Sequence, residues 1–322
     1  MSQPRPEPYA EARAAGIRTR AGSRVPAAAD HPAPGPSRGP RRRAGLAAAW
    51  RAARRGLLYA AAILVCVVVG FPIYWMVTSA LEPGNLFNFP PRFFPSHPAW
   101  TNFTHIFTVN PLGRWLANSL FVAGGTMICS LLLAVHAAYG LSRFRGRAVD
   151  GLGFLMLVGQ MIPVTVLTIP FYVLFRQLHL IDTLTGIVVA TTTFSVPMCL
   201  WMLRGFFDGV PRELDEAALT DGCTRLGALY RVILPSALPG VVAAALFGFM
   251  LGWNEFFFAS TFLSTETKWV ATVGLVTYMS QYFVEWSALM ATAFVITIVP
   301  AILFMVTQRY MMAGITQGAV KA

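Results

Sequence analysis

The sequence predicts an all-α, polytopic membrane protein with six transmembrane helices and a helical cytoplasmic loop between the fourth and the fifth. Composition is the first observation behind this: of 322 residues, 56% are hydrophobic and 12% charged, with a mean hydropathy of +0.58. That is too apolar for an ordinary soluble domain. The second is that five runs of 21 to 28 residues carry no charge, each long enough to cross ~30 Å of hydrocarbon as a helix. A further run, residues 240–263, is interrupted only by Glu255. Runs of this length exclude barrel strands, which need only about 10 residues and alternate polar with apolar side chains.

Taken in order, residues 1–56 read as a basic tail rich in Pro, Ala and Arg, holding 12 of the 25 basic residues and three of the 14 acids. Its apolar side chains are isolated, so Met1 to about Pro40 cannot repay the entropy of ordering and is expected to be disordered. The first long apolar run begins at Leu57, too far behind the first basic residues for a signal peptide, and is expected to stay in the membrane. The spans are placed at about 57–81, 116–141, 151–175, 183–203, 240–263 and 286–308. With the N-terminus inside, the inner segments hold 21 bases and the outer loops only four, namely Arg92, Arg114, Arg176 and Lys268. The positive-inside rule therefore puts both termini in the cytoplasm. Because the excess charge sits in a tail rather than on a structured stripe, nucleic-acid binding is not indicated. Cys66, Cys129, Cys199 and Cys223 lack metal-ligand or disulfide spacing and read as reduced packing residues.

Residues 204–239 form a cytoplasmic connection whose pattern is helical rather than linker-like. Asp208 or Gly209 can cap a first helix, Pro211 suits its first turn, and Glu213, Asp215 and Glu216 lie near the positive end of its dipole. Gly222 ends it, being free to take positive φ. Thr224 can cap a second helix over about Arg225 to Leu234, which stops or bends at Pro235. The result is an elbow, with Ala217 and Ala218 leaving one side low enough for a partner to approach. An interfacial amphipathic helix would show the same pattern.

Here the residues resemble a known family. Glu216-Ala217-Ala218, three residues, Gly222, nine residues and Val232-Ile233-Leu234-Pro235 is similar to the EAA signature of permease subunits of binding-protein-dependent ABC importers, with Val232 where Ile is usual. Further stretches resemble the carbohydrate-uptake branch, of the maltose-type second permease: Ala137 to Arg147, Gln160 to Thr183, Leu203 to Gly222, Gly252 to Ala259 and Gly314 to Ala322. The resemblance covers about Leu57 to Ala322. It implies a non-catalytic transport subunit in a bacterial inner membrane, whose partners are a second permease, two ATP-binding cassette subunits, an extracytoplasmic solute-binding protein and membrane lipid. Glu216, Ala217, Ala218, Gly222, Leu234 and Pro235 become the positions that couple to the ATPase. The chain has no phosphate-binding loop, and its only lysines are Lys268 and Lys321. ATP and Mg therefore belong to the partner, and no cofactor is expected on this chain. The family's C-terminal segment can reach toward the ATPase, which implies a coupling role for Gly314 to Val320.

Within the membrane, Glu255 is the one acid inside an apolar run, an expensive placement that points to a function or a partner. Trp253, Asn254 and Glu255 offer a stacking face, an amide and a carboxylate, the side-chain types that hold a sugar; Glu255 can equally bond a neighbouring helix. Gln160 is a second pathway candidate, beside Pro163, which with Pro170 either frees carbonyls toward a polar pathway or only kinks the helix. His136 reads as a satisfied packing histidine, and Gly248 and Gly252 as close-packing positions. The aromatic first outer loop, Glu82 to Arg114, either caps the bundle or receives a binding protein.

Other classes fare worse. An intramembrane hydrolase lacks a GxSxG or HExxH motif. An ion-coupled secondary transporter would account for the spans and Glu255 but not for the elbow. Arg41 to Arg43, Arg51, Arg54 and Arg55 suit anionic lipid as an accessory contact. The expected function is half of an ATP-driven pathway for a sugar, with a sugar phosphate or polyol as the nearest alternative.

Overall fold

The structure, a computed structural model, describes residues 40–83, 93–95, 97–144, 146–280 and 284–318. The disorder expected over residues 1–39 lies outside that range, as do the ends of the C-terminal stretch and parts of the first outer loop. Two compact units divide the chain, residues 1–64 and 65–322.

In the first unit the described part is helical. Helix α1 spans Pro40–Ala80, so residues 40–56 of the basic tail are helix. The reason is local: that stretch is built largely from Ala and Arg, two of the strongest helix formers.

The second unit is all-α among the described residues apart from one isolated antiparallel bridge, Met279 to Val284. A short α2 (Thr101–Thr108) leads into α3 (Leu112–Arg143). There follow α4 (Arg147–Gly159), α5 (Val164–Gln177) and α6 (Leu184–Asp208). The elbow comprises α7 (Arg212–Thr220), α8 (Arg225–Ala228), a π-helical turn (Leu229–Ile233) and α9 (Leu234–Ser236). Then come α10 (Leu238–Trp253), α11 (Phe257–Phe262), α12 (Ala271–Val276) and α13 (Trp286–Gly318). Among the described residues, five stretches are long and apolar enough to cross a membrane: Ala53–Ala80, Leu112–Arg143, Leu184–Asp208, Leu238–Phe262 and Trp286–Tyr310.

The expected span 151–175 is different: it is two helices, α4 and α5, meeting at 99°. Pro163 explains the break, since its ring cannot donate to the helical ladder and it takes an extended ψ of 130°. Pro170, the other candidate kink, lies inside α5.

The core is a trio of α3, α6 and α10. Ala134, Ala138, Cys199, Leu203 and Ala244 are fully buried between them, and the elbow adds Leu229 and Ile233 to the same cluster. In a membrane such contacts are held by close backbone approach rather than by a hydrophobic drive. Gly252 makes that approach possible, because a Cβ there would lie 2.7 Å from the Cα of Ala123. A second layer, built on rings of Phe171, Phe175, Phe194, Phe258 and Phe262, joins α5, α6 and α11. At the N-terminal end of α3, Trp115 Nε1 donates to Glu266 O at 3.0 Å and Asn118 Nδ2 to Trp269 O at 2.8 Å. The 32 residues of α3 rise about 48 Å at 1.5 Å each. The 263–270 loop and the elbow are therefore at opposite ends of the bundle.

Candidate functional site

The elbow begins where α6 ends. Asp208 is the last residue of α6, with Arg204 Nε 3.6 Å from its carboxylate, so neither it nor Gly209 caps α7. Pro211 takes the N-cap place with φ −54° and ψ 140°, and no side chain bonds the first amides. Glu213 and Asp215 in the first turn supply the negative charge that a helix N-terminus favours.

Helix α7 stops as its sequence demands. Gly222 has φ +85°, its N–H donates to Leu219 O, and Cys223 N–H donates to Ala218 O, both at 3.0 Å. This is the Schellman pattern, in which a residue without a Cβ turns the chain and satisfies the last carbonyls. Thr224 Oγ1 then accepts from Gly227 N at 3.1 Å, capping the second arm as expected. That arm extends past Leu234 to Ser236, because its ladder widens to a π turn at Leu229–Ile233 and continues through Pro235 at an N-terminal helical position.

On α7 the faces separate cleanly. Asp215 and Ala218, three residues apart, turn inward at 7% and 6% exposure. Glu213, Glu216, Ala217 and Thr220 face out, together with the large apolar side chains of Leu214 and Leu219. The outward surface of the EAA segment is thus Glu216 and Ala217 flanked by two leucines, with Ala218 serving the inner contact. Gly222 and Pro235 are exposed, and Leu234 packs half-buried against the core.

What the sequence did not reveal is how the elbow is held. Arg143, at the end of α3, forms an ion pair with Asp215, their side chains 6% and 10% exposed. Tyr139 donates its hydroxyl to Asp215 Oδ1 at 2.9 Å. The same arginine donates to the carbonyls of Phe207 and Val210 at 3.1 and 3.2 Å, while Arg212 Nη2 donates to Ser142 O at 2.9 Å. A lone buried carboxylate would be costly, and here it is paired and hydrogen-bonded. The one legible signal was Asp215 itself, an acid three residues before an alanine on a short amphipathic helix.

The pathway candidates sit at two places. Gln160 occupies the turn between α4 and α5, exposed, its Nε2 donating to Phe194 O at 3.0 Å. Trp253 is 2% exposed, its ring stacked on Phe249 at 5.9 Å. Asn254 is exposed and donates to Met250 O at 2.8 Å. Glu255 is half-buried in the break between α10 and α11, where Oε1 accepts from Phe258 N at 2.7 Å, so its carboxylate caps α11. Phe194 and Phe258, 5.6 Å apart, link the two places. His136 is satisfied on both ring nitrogens, by Leu132 O at 2.6 Å and the Tyr230 hydroxyl at 2.9 Å.

Long apolar helices packed through small residues, with a helical elbow anchored to the end of one of them, define a multi-spanning subunit of a membrane transport system. The chain belongs to the family described as the inner membrane component of binding-protein-dependent transport systems, whose model matches residues 130–317. It is 33% identical over 267 residues to the sulfoquinovosyl glycerol transport system permease protein SmoH of Agrobacterium fabrum, covering 82% of this chain and 93% of that one. It is 31% identical to the diacetylchitobiose uptake system permease protein DasC of Streptomyces coelicolor, over 81% of this chain and 95% of that one. In fold it is similar to a chain of a bacterial ABC transporter involved in the import of alginate, with TM-score 0.66 and 23% identity, covering 79% of this chain and 95% of the other.

Proposed function

We propose that this multi-pass inner-membrane subunit forms half of the pathway of an ATP-driven importer for a carbohydrate, received from an extracytoplasmic binding protein. The elbow, residues 204–239, couples it to a separate cytoplasmic ATPase. The observation that carries this reading is the outward face of α7: Glu216 and Ala217 lie exposed between Leu214 and Leu219. A low, partly apolar ridge with the exposed carboxylates of Glu213 and Glu216 suits a groove with basic groups at its rim. Ala218 and Leu234 support the ridge from beneath, and the exposed Gly222 and Pro235 shape the turns of the elbow. ATP and Mg bind the ATPase, of which two copies serve a pair of permeases, this chain and a second one. Both termini and the elbow face the cytoplasm.

The carbohydrate class is supported by the relatives, whose names specify sulfoquinovosyl glycerol and diacetylchitobiose, both glycosides. The exposed amide of Asn254 and the half-buried carboxylate of Glu255, with Gln160 and Trp253, are the pathway residues of this reading. At the far end of α3, a polar cleft of about 420 Å³ lined by Thr101, Thr104, His105, Thr108 and Ser287 faces the side from which a binding protein would deliver.

Tagging this chain in its native membrane and solubilising it gently tests the proposal. An ATP-binding cassette subunit should co-purify with the wild type and be lost with Glu216→Lys. A chain that purifies alone and moves solute without ATP would overturn the importer reading in favour of ion-coupled transport. The co-purifying binding protein, screened against sugars, sugar phosphates and polyols, decides the solute class.

A further inference from the structure

Three side chains on α3, His136, Tyr139 and Arg143, are spaced three and four residues apart and therefore share one helix face. Each grips the elbow. Tyr139 and Arg143 hold the first arm through Asp215 in a buried ion pair and hydrogen bond. His136 holds the second arm. Its Nδ1 faces the Leu132 carbonyl, which can only accept, so the proton sits on Nδ1 and Nε2 accepts from the Tyr230 hydroxyl. Directly after Arg143, the Phe144 ring carries the Arg225 guanidinium of the second arm 5.5 Å from its centroid.

The two grips differ in kind. Breaking a buried charge pair leaves an uncompensated charge and is strongly disfavoured, so the pair ties α7 firmly to the end of α3. Phe207 and Val210, bonded by the same arginine, bring the end of α6 into that tie. The contacts of Tyr230, His136 and Phe144 lie on the outer surface of the chain, and the Tyr230–His136 bond joins neutral groups, so exchanging it leaves no buried charge behind. Between the two arms stands Gly222, at φ +85°.

We propose that Tyr139, Arg143 and Asp215 are positioning residues that make α3 the helix receiving the elbow's motion, while His136 and Tyr230 form a compliant second contact that lets the other arm pivot. This rests on the coupling function proposed above and adds a defined route, a rigid joint on one arm and a slipping one on the other.

The test uses the complete transporter reconstituted in proteoliposomes with its co-purifying subunits, with a defined mixture of mono- and disaccharides as solute probe. Basal ATPase rate, stimulation by the loaded binding protein, and solute moved per ATP are measured together. Asp215→Asn, which keeps an acceptor for Tyr139 but drops the ion pair, and Tyr139→Phe should retain the ATPase subunit and its basal rate. Both should lose stimulation about fivefold or more and move less solute per ATP, whereas Tyr230→Phe should change either by less than about twofold. Wild-type stimulation and stoichiometry in both variants overturns the joint. Loss of the ATPase subunit in both, with unchanged solute per ATP in whatever complex remains, also overturns it, because the residues then serve assembly alone. A wild-type complex without stimulation overturns the coupling function itself, an outcome distinct from the other two.

Discussion

The Lys268 ammonium donates to Asp182 twice, to its carboxylate and to its backbone carbonyl, each at 2.7 Å. The same carboxylate accepts from Ser264 N and Thr265 N at 3.0 Å and from the Thr265 hydroxyl at 2.6 Å. One side chain in the α5–α6 connection thereby fixes the loop after α11. It does so from a strained position, with φ +55° at Asp182 and +56° at His179, a backbone region that non-glycine residues enter only when their surroundings hold them there.

Burial opposes ionisation of Asp182, but the bonds from Lys268 and Thr265, then the backbone amides, outweigh it and hold the carboxyl well below its ordinary range. A group whose folded value is depressed stabilises the fold fully above its unfolded value, about 4, and loses that contribution as pH falls through the folded one. The melting temperature of Asp182→Asn in detergent should therefore lie below wild type by a few degrees, by the same margin from pH 8 to pH 5. The margin should shrink only below about pH 4. A margin that vanishes at neutral pH would show that the loop is held by something other than this charge.

Substituting Gly252 tests the close approach of α10 to α3. Its Cβ would meet backbone at 2.7 Å, where no rotamer change relieves the clash, whereas a Cβ at Gly248 would stand 3.3 Å from the Cα of Met127 and from Ser195 Oγ. Gly252→Ala is expected to cost about 1–3 kcal/mol and to lower the detergent-stable fraction more than Gly248→Ala does. Equal effects would remove the graded argument.

The pivot of the elbow is testable without any transport assay. An alanine at Gly222 must hold positive φ at a cost of about 1–2 kcal/mol, so Gly222→Ala should speed hydrogen exchange at the Gly222 and Cys223 amides that close the helix end. Gly222→Asn should recover most of the protection, since asparagine tolerates the left-handed region. Identical exchange in both variants would mean that conformation does not limit the turn.

How far these features were legible depends on the range of the interaction. The apolar runs, the Gly222 stop and the Thr224 cap are properties of at most 28 neighbouring residues, and the sequence carries them openly. The pairing of Arg143 with Asp215 joins positions 72 apart in number, and each alone looks like an ordinary surface charge, one in a basic inner loop and one at a helix N-terminus. The inward turn of Ala218 was hidden for the same reason: Asp215, its neighbour on that face, reads as solvent-exposed until its partner is known. At residues 160–163 Pro163 announced a bend, but its size is set by how α5 packs its rings against Phe194, Phe258 and Phe262, which no local pattern encodes.

Glu255 separates two roles that the sequence left superposed. Its carboxylate accepts from the Phe258 amide at the start of α11 and its backbone carbonyl from the Thr272 hydroxyl of α12, so the residue caps α11 and ties the break before it to α12. Removing a helix cap costs about 1 kcal/mol, and Glu255→Ala should lower thermal stability accordingly. Glu255→Gln keeps an oxygen able to accept from Phe258 while removing the charge, and should match wild type in stability. Uptake by the Gln variant then reports on the charge alone. A changed apparent affinity in a stable protein assigns the carboxylate to the solute pathway; unchanged affinity and rate remove Glu255 from it and leave Asn254, exposed beside it, as the residue of that break to substitute next.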